Sequence, residues 1–337
     1  MFKPTHVYFE KSALSYKQAK ELKKKLENSH LPVDRIEDNQ INVMKGTEGE
    51  KTDASLMPVL VVSVYKNQEF KRAYPLADYA LPLVSGCVGR CEYCQLNQFN
   101  RAPSLIKVYV NMDEILKKVK RYAQKKELVT FEGSLEADPI PTERYTHALA
   151  QMIEFIAKQS HIRFSFTTKY TEIDSLLCLR HNGQTTVRFS LNTDTVIESF
   201  EEGTPPMKER IEAAFKVMKA GYPVGFVIAP VFIYPNWRED YLMLIKRLKE
   251  YLANAHPTQP VTFEIIAHRF MKVAKNHLFQ VVEDTYLLPD PKEMTQKYGP
   301  YAYGKNSYDP QTMAQIKELF EFGLAHLPFK YEIKYIV

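Results

Sequence analysis

From residue 79 onward the chain alternates short apolar runs with longer stretches of helical period. The apolar, strand-like runs fall at 79–84, 129–132, 163–168, 186–192, 224–231 and 261–267. Between them the periodicity predicts helices over 112–125, 142–159, 171–181, 206–221 and 238–255. The helix at 206–221 opens at Pro205-Pro206, stops at Gly221 and sets Ile211, Ala214, Phe215 and Met218 on one face. Strands separated by helices of this length build βαβ units with right-handed crossovers. Six strands fall short of the eight that close a barrel. The expected fold is therefore α/β, a partial (β/α)6 TIM-type barrel open on one side, with a flat doubly wound sheet as the alternative.

Outside this rhythm, residues 6–9 predict a short strand and 15–28 a helix opened by Ser15 as N-cap. Residues 39–55 read as a polar loop and 59–65 as a largely buried strand. A Gly/Tyr-rich stretch at 297–305 precedes a helix at 310–326 and a last strand at 331–337. The expected organisation is an N-terminal α/β extension (1–75), the barrel (76–270) and a C-terminal hairpin and helix (271–337). The lysines at 17, 20, 23, 24 and 25 are read as a solvated helix face rather than a nucleic-acid surface.

Composition adds little to this. The 337 residues carry a net charge of +5, which permits a polyanionic partner without demanding one. No apolar run approaches the roughly 18–20 residues that span a bilayer, and Met1-Phe2-Lys3-Pro4 has no signal-peptide core. Four cysteines, three clustered and one isolated at Cys178, make a poor disulfide framework and fit a reducing compartment, so a cytoplasmic location is expected.

The chemistry concentrates in Ser85-Gly86-Cys87-Val88-Gly89-Arg90-Cys91-Glu92-Tyr93-Cys94. Its Cys-x3-Cys-x2-Cys spacing offers three thiolates and leaves a fourth coordination position open. An iron–sulfur cluster with one open iron explains the missing fourth ligand; zinc completed by Cys178 or a histidine is the alternative, although no second Cys-x2-Cys element is present. Ligands of barrels and open α/β sheets bind at the carboxyl ends of the strands. The expected strand ends carry the cysteine loop, Glu132 to Asp138, Lys169 with Tyr170, Ser190 with Asn192, Ala229 with Pro230, and His268 with Arg269. His268 suits a general base, but a structural histidine is the preferred reading.

The cysteine spacing, with Tyr93 before the last cysteine and a partial barrel behind it, resembles the radical S-adenosylmethionine enzymes. More narrowly, the chain resembles the spore photoproduct lyase family from end to end. The resemblance rests on Val7-Tyr8-Phe9-Glu10, Asp78-Tyr79-Ala80-Leu81-Pro82-Leu83, Thr168-Lys169-Tyr170, Phe189-Ser190-Leu191-Asn192, Gly225-Phe226-Val227-Ile228-Ala229-Pro230 and His268-Arg269-Phe270. It implies a 4Fe–4S cluster held by Cys87, Cys91 and Cys94, with S-adenosyl-L-methionine on the open iron. Tyr93, Ala137, Asp138, Lys169, Ser190 and Ala229 fall where the family contacts S-adenosylmethionine. Arg269, Tyr301 and Lys305 fall where it grips DNA, the last two in an expected hairpin. The implied reaction starts from a 5′-deoxyadenosyl radical and returns 5-thyminyl-5,6-dihydrothymine in ultraviolet-damaged DNA to two thymines. An electron donor such as flavodoxin or ferredoxin is implied with it.

The departures from the family are specific. Where the resemblance places a hydrogen-donating cysteine, this chain has Leu135, and a tyrosine expected after the third cluster cysteine is Gln95. Pro300 replaces an arginine before the hairpin tyrosine, and Ala137 a serine beside the aspartate. Cys178 is read as a small buried apolar residue. Two other readings stay open: a related radical enzyme with a different nucleic-acid substrate, and a non-catalytic, metal-containing nucleic-acid-binding protein.

Overall fold

The computed structural model describes residues 2–40, 58–94, 105–124, 126–133, 135, 137–271, 294–298 and 304–337. Most of the loop expected at 39–55 lies outside them, as do Gln95, Pro300 and Tyr301. The chain divides into two compact units, Met1–Arg90 with Asn100–Val187, and Cys91–Phe99 with Arg188–Val337.

The first unit opens with β1 (His6–Glu10), α1 (Lys17–Glu27), β2 (Val33–Ile36) and β3 (Val59–Ser63). Apolar residues at helical spacing (Ala19, Leu22 and Leu26) fix which face of α1 is buried, while Lys17 and Lys23 pair along its surface with Glu21 and Glu27. Lys17, Lys20, Lys24 and Lys25 are exposed. After β4 (Arg72–Ala73), β5 (Ala77–Ala80), β6 (Val84–Ser85) and the two-residue β7 (Arg90–Cys91) comes β8 (Leu105–Tyr109). One sheet runs β2-β1-β3-β8-β6; its first four strands are parallel and β6 is antiparallel to β8. Val7, Phe9, Leu22, Leu26, Leu60, Val62, Ile106 and Val108 form its core. Burying a large apolar side chain of this kind contributes about 1.5–3 kcal/mol.

The first barrel strand ends earlier than the apolar run at 79–84 implies. Pro82 has no N–H for a ladder, so β5 stops at Ala80 and Val84–Ser85 joins the other sheet. There follow α2 (Met112–Ala123), β9 (Val129–Glu132), α3 (Ile140–Thr146), α4 (Ala148–Ile156) and β10 (Ile162–Thr168). The single helix expected at 142–159 is two. His147 takes a left-handed conformation (φ 51°), and the Glu143 carboxylate turns to accept the N–H groups of Leu149 (2.8 Å) and Ala150 (2.9 Å), capping α4. The helix expected at 171–181 is only a single 3-10 turn, Asp174–Leu176. Ile173 and Leu176 are the buried anchors there, enough for one turn, and Cys178 is exposed rather than buried.

Burial raises the Glu143 carboxyl to about 7, against the two N–H groups that favour its ionised form. A folded-state value above the ordinary one means stability that is complete below about pH 4.5 and lost as pH rises through about 7. Wild type is therefore expected to lose about 1–3 kcal/mol relative to Glu143→Gln between those limits, measured by urea denaturation at several pH values. Parallel pH profiles for the two proteins would contradict this.

The second unit contains most of β11 (Thr185–Leu191), then α5 (Asp194–Phe200), β12 (Glu201–Glu202), α6 (Met207–Lys219), β13 (Val224–Val231), α7 (Trp237–Leu252) and β14 (Val261–Ala267). Beyond these lie β15 (Arg269–Met271), β16 (Met294–Tyr298), β17 (Gly304–Tyr308), α8 (Pro310–Leu324) and β18 (Tyr331–Ile336). Asp309 caps α8 by accepting from the N–H groups of Gln311 and Thr312, with Pro310 at the first helical position. β18 pairs parallel with β14, and β16 and β17 form an antiparallel hairpin joined by β15. In chain order β5, β9, β10, β11, β13 and β14 are the six expected strands of a mixed α/β, partial-barrel fold. Among the described residues no helix is long and apolar enough to cross a membrane.

Candidate active site

Cys87 is positioned by the residue before it. Gly86 has φ +86° and packs so closely on β8 that a Cβ would collide with the Leu105 carbonyl oxygen. Its backbone also forms a parallel bridge with Ala137, which brings the start of the cysteine loop to the segment after β9. The Cys87 Sγ accepts the Gly89 N–H at 3.4 Å, the kind of bond that tunes a cluster thiolate.

Asp138 is buried and fully engaged with the end of β10. Thr168 Oγ1 donates to its two oxygens (2.8 and 3.0 Å), the Lys169 N–H to Oδ2 (2.8 Å) and the Ile140 N–H to Oδ1 (3.2 Å). Burial raises its pKa to about 6 while those donors pull the other way. The carboxylate thus fixes the backbone from which Lys169 projects, and Thr168, read in the sequence only as part of Thr168-Lys169-Tyr170, is one of its partners. Leu135 lies just past β9 and is 44% exposed. It lines a cavity of about 150 Å³ with Ser85, Tyr109, Gly133 and Lys71, at the carboxyl ends of β5 and β9. Gly133 is required there, since a Cβ would stand 2.8 Å from the Phe164 ring.

In the second unit Cys91 is buried, Cys94 is half-buried, and the Cys94 N–H donates to the Cys91 carbonyl (3.1 Å). The Tyr93 hydroxyl donates to Glu201, and its ring packs on Phe232 with centroids 5.7 Å apart. Burial, then the Glu201 carboxylate beside it, holds the Tyr93 phenol well above its ordinary value. Ser190 is buried near the end of β11, and its carbonyl accepts from Arg210 (3.0 Å). Ala229 precedes Pro230, whose carbonyl accepts from Asn192 (2.7 Å). Arg269 pairs with Ser307 in the β15–β17 ladder, and the Lys305 backbone lies opposite Met271. His268 is buried, with its ring centroid 4.6 Å from that of Phe232.

The donor chemistry fits a cluster: none of the three loop cysteines is held in a disulfide, and one sulfur already accepts an N–H. Among the described residues no three His, Cys, Asp or Glu side chains stand close enough to cage a metal ion as placed. The assignment of ligands therefore rests on spacing and residue type.

A partial barrel with a three-thiol loop after its first strand defines the class of radical S-adenosylmethionine enzymes. Comparison with known proteins narrows it. Residues 2–337 match the spore photoproduct lyase family. The chain is 38% identical to the spore photoproduct lyase of Clostridium acetobutylicum, covering 98% of both proteins, and 36% identical to that of Bacillus subtilis, covering 95% of this chain and 94% of the other. A solved spore photoproduct lyase complexed with dinucleoside spore photoproduct superimposes with a TM-score of 0.91 at 34% identity, over 100% of this chain and 99% of that one. A doubly substituted lyase with bound AdoMet and dinucleoside spore photoproduct gives the same TM-score. The chain belongs to the spore photoproduct lyase family, whose members are radical S-adenosylmethionine lyases.

Sequence reading missed Glu201 and Arg210. The signal for Arg210 was present: it lies three residues after Met207 and four before Ala214, on the buried stripe of α6, where a cation must find a partner.

Proposed function

We propose that this chain is a DNA repair lyase that reverses the spore photoproduct, 5-thyminyl-5,6-dihydrothymine, to two thymines. The observation that carries this reading is the full-length family match with Cys87, Cys91 and Cys94 in place. These thiols would hold the 4Fe–4S cluster, and Tyr93, Ala137, Asp138, Lys169, Ser190 and Ala229 would seat S-adenosylmethionine. When bound, the cluster and S-adenosylmethionine supply the electron and the adenosyl radical that start the reaction. In this assignment Asp138 orients the Lys169 backbone, and the cavity beside Leu135 receives the lesion end of the substrate. Arg269, Lys305 and Tyr301 would grip the duplex. A bridged dinucleotide must leave the stack to reach a barrel mouth, at a cost of a few kcal/mol, which backbone cations and an inserted aromatic offset. In this reading residues 1–75 form an extension, 76–270 carry the chemistry and 271–337 meet DNA. With this reading goes a cytoplasmic setting and a flavodoxin- or ferredoxin-type electron donor, which the reductive start of the reaction requires.

Anaerobic incubation with dinucleoside spore photoproduct and reductant tests the reading: thymine dinucleoside is the expected product. Release of 5′-deoxyadenosine without substrate turnover would instead favour a different nucleic-acid lesion. Leu135 is the observation behind that second possibility, because leucine has no labile hydrogen to end the reaction. Leu135→Cys is expected to raise the ratio of repaired lesion to 5′-deoxyadenosine formed. An unchanged ratio would place the hydrogen donor elsewhere.

A further inference from the structure

The Cys91–Cys94 part of the cysteine loop is tied to the rest of the second unit by a buried charged pair. Glu201 and Arg210 have fully buried side chains and form an ion pair at 2.6 Å. Arg210 directs its remaining donors to three further groups. Nε donates to the Pro205 carbonyl (2.7 Å), one terminal nitrogen to the Ser190 carbonyl (3.0 Å), and the other also to Thr204 Oγ1 (2.7 Å). Glu201 in turn accepts from the Tyr93 hydroxyl, between the second and third cysteines. The neighbouring Glu92 N–H donates to the Phe200 carbonyl (3.0 Å), so the loop is pinned at two successive residues. Tyr93 and Phe200 both pack against the buried Val196–Phe232 cluster.

Stability alone does not call for this arrangement. A buried ion pair is seldom more stabilising than apolar residues of the same volume, because desolvating both charges consumes most of their attraction. What the pair adds is direction. One planar guanidinium sets the carboxylate that fixes the Tyr93 ring, and the same guanidinium holds the carbonyl of Ser190. Both residues belong to the proposed S-adenosylmethionine contacts. We propose that Glu201 and Arg210 are positioning residues that fix the Tyr93 ring and the Ser190 end of β11 as one preorganised S-adenosylmethionine cradle. This rests on the assignment of Tyr93 and Ser190 to that ligand. Neither charged residue is assigned to the ligand itself; they act through Tyr93 and Ser190, which are.

The test uses the anaerobically reconstituted full-length protein and two variants. Tyr93→Phe removes only the hydroxyl and leaves the ion pair whole; Glu201→Gln keeps the volume and removes the charge. Iron and sulfide content, melting temperature, S-adenosylmethionine affinity and the low-temperature electron paramagnetic resonance spectrum with and without S-adenosylmethionine are measured for each. Both variants are expected to keep their iron, to bind S-adenosylmethionine about fivefold or more weakly, the worth of about one hydrogen bond, and to show an altered ligand-induced spectral change. Glu201→Gln should melt lowest, because it leaves the buried Arg210 charge unpaired, and Tyr93→Phe, which takes one donor from a buried carboxylate, should melt lower than wild type by less. If both bind with wild-type affinity and an unchanged spectrum while melting lower, the pair is a structural brace and the proposal falls. A wild type that binds no S-adenosylmethionine removes the underlying assignment, and the proposal with it, through a result visible before any variant is made.

Discussion

Cys91→Ala is expected to abolish iron–sulfur loading and with it all reductive cleavage of S-adenosylmethionine. Anaerobically reconstituted wild type should hold about four irons per chain, the content of one 4Fe–4S cluster. Two remaining thiolates leave two irons of such a cluster without a protein ligand, so iron and sulfide should fall to background and 5′-deoxyadenosine should disappear. The fold should survive the change. Cys91 is small and buried, and the local bond from the Cys94 N–H goes to its backbone carbonyl, which alanine retains. The cost of truncating so small a buried side chain is about 1 kcal/mol. Full iron content and undiminished cleavage in Cys91→Ala would remove Cys91 from the ligand set.

Arg210→Ala should have the largest effect on stability. The substitution strands the Glu201 carboxylate in the interior and takes the donor away from the Ser190 and Pro205 carbonyls. Breaking a buried pair on one side costs about 3–5 kcal/mol. That is a large share of a typical domain's stability and equivalent to about ten degrees in melting temperature. Removing both charges at once, in Arg210→Met with Glu201→Leu, should melt higher than Arg210→Ala, since no unpaired charge is then left behind. Thermal scans of the three proteins in the same buffer decide it. A double variant that melts no higher than the single one would mean the carboxylate is not what destabilises the single variant.

The sequence was most legible where the information is local. The six strands were legible because each contains a short apolar run, although the first ends at Ala80 and not at Val84, and α6 and α7 because one face repeats at helical spacing. The cysteine loop was legible for the same reason, since its three donors lie within eight residues. What escaped depended on partners brought together by folding. Tyr93 and Glu201 are 108 residues apart in sequence, and periodicity carries no trace of their meeting. The break in the helix at His147 escaped because its cap comes from Glu143, a carboxylate inside the preceding helix rather than a conventional N-cap residue. The helix expected at 171–181 is a single 3-10 turn because, of Leu176, Leu177 and Leu179, only Leu176 is buried, too little apolar contact to hold a longer helix.

The pairing of Val84 and Ser85 with Val108 and Lys107 has a consequence for anyone recombining relatives of this protein. The strand that feeds the cysteine loop is an edge of the N-terminal sheet, so the two are in register with each other. A single-residue insertion between Ala80 and Gly86 would turn Val84 from the core to the opposite face and draw Gly86 away from Leu105. Crossovers placed before β5 would pair one parent's β8 with the other parent's β3. A segment running from β1 through the end of β8 keeps the Val84–Ser85 pairing intact, but Glu92 and Tyr93 must then meet a Phe200 and a Glu201 suited to them.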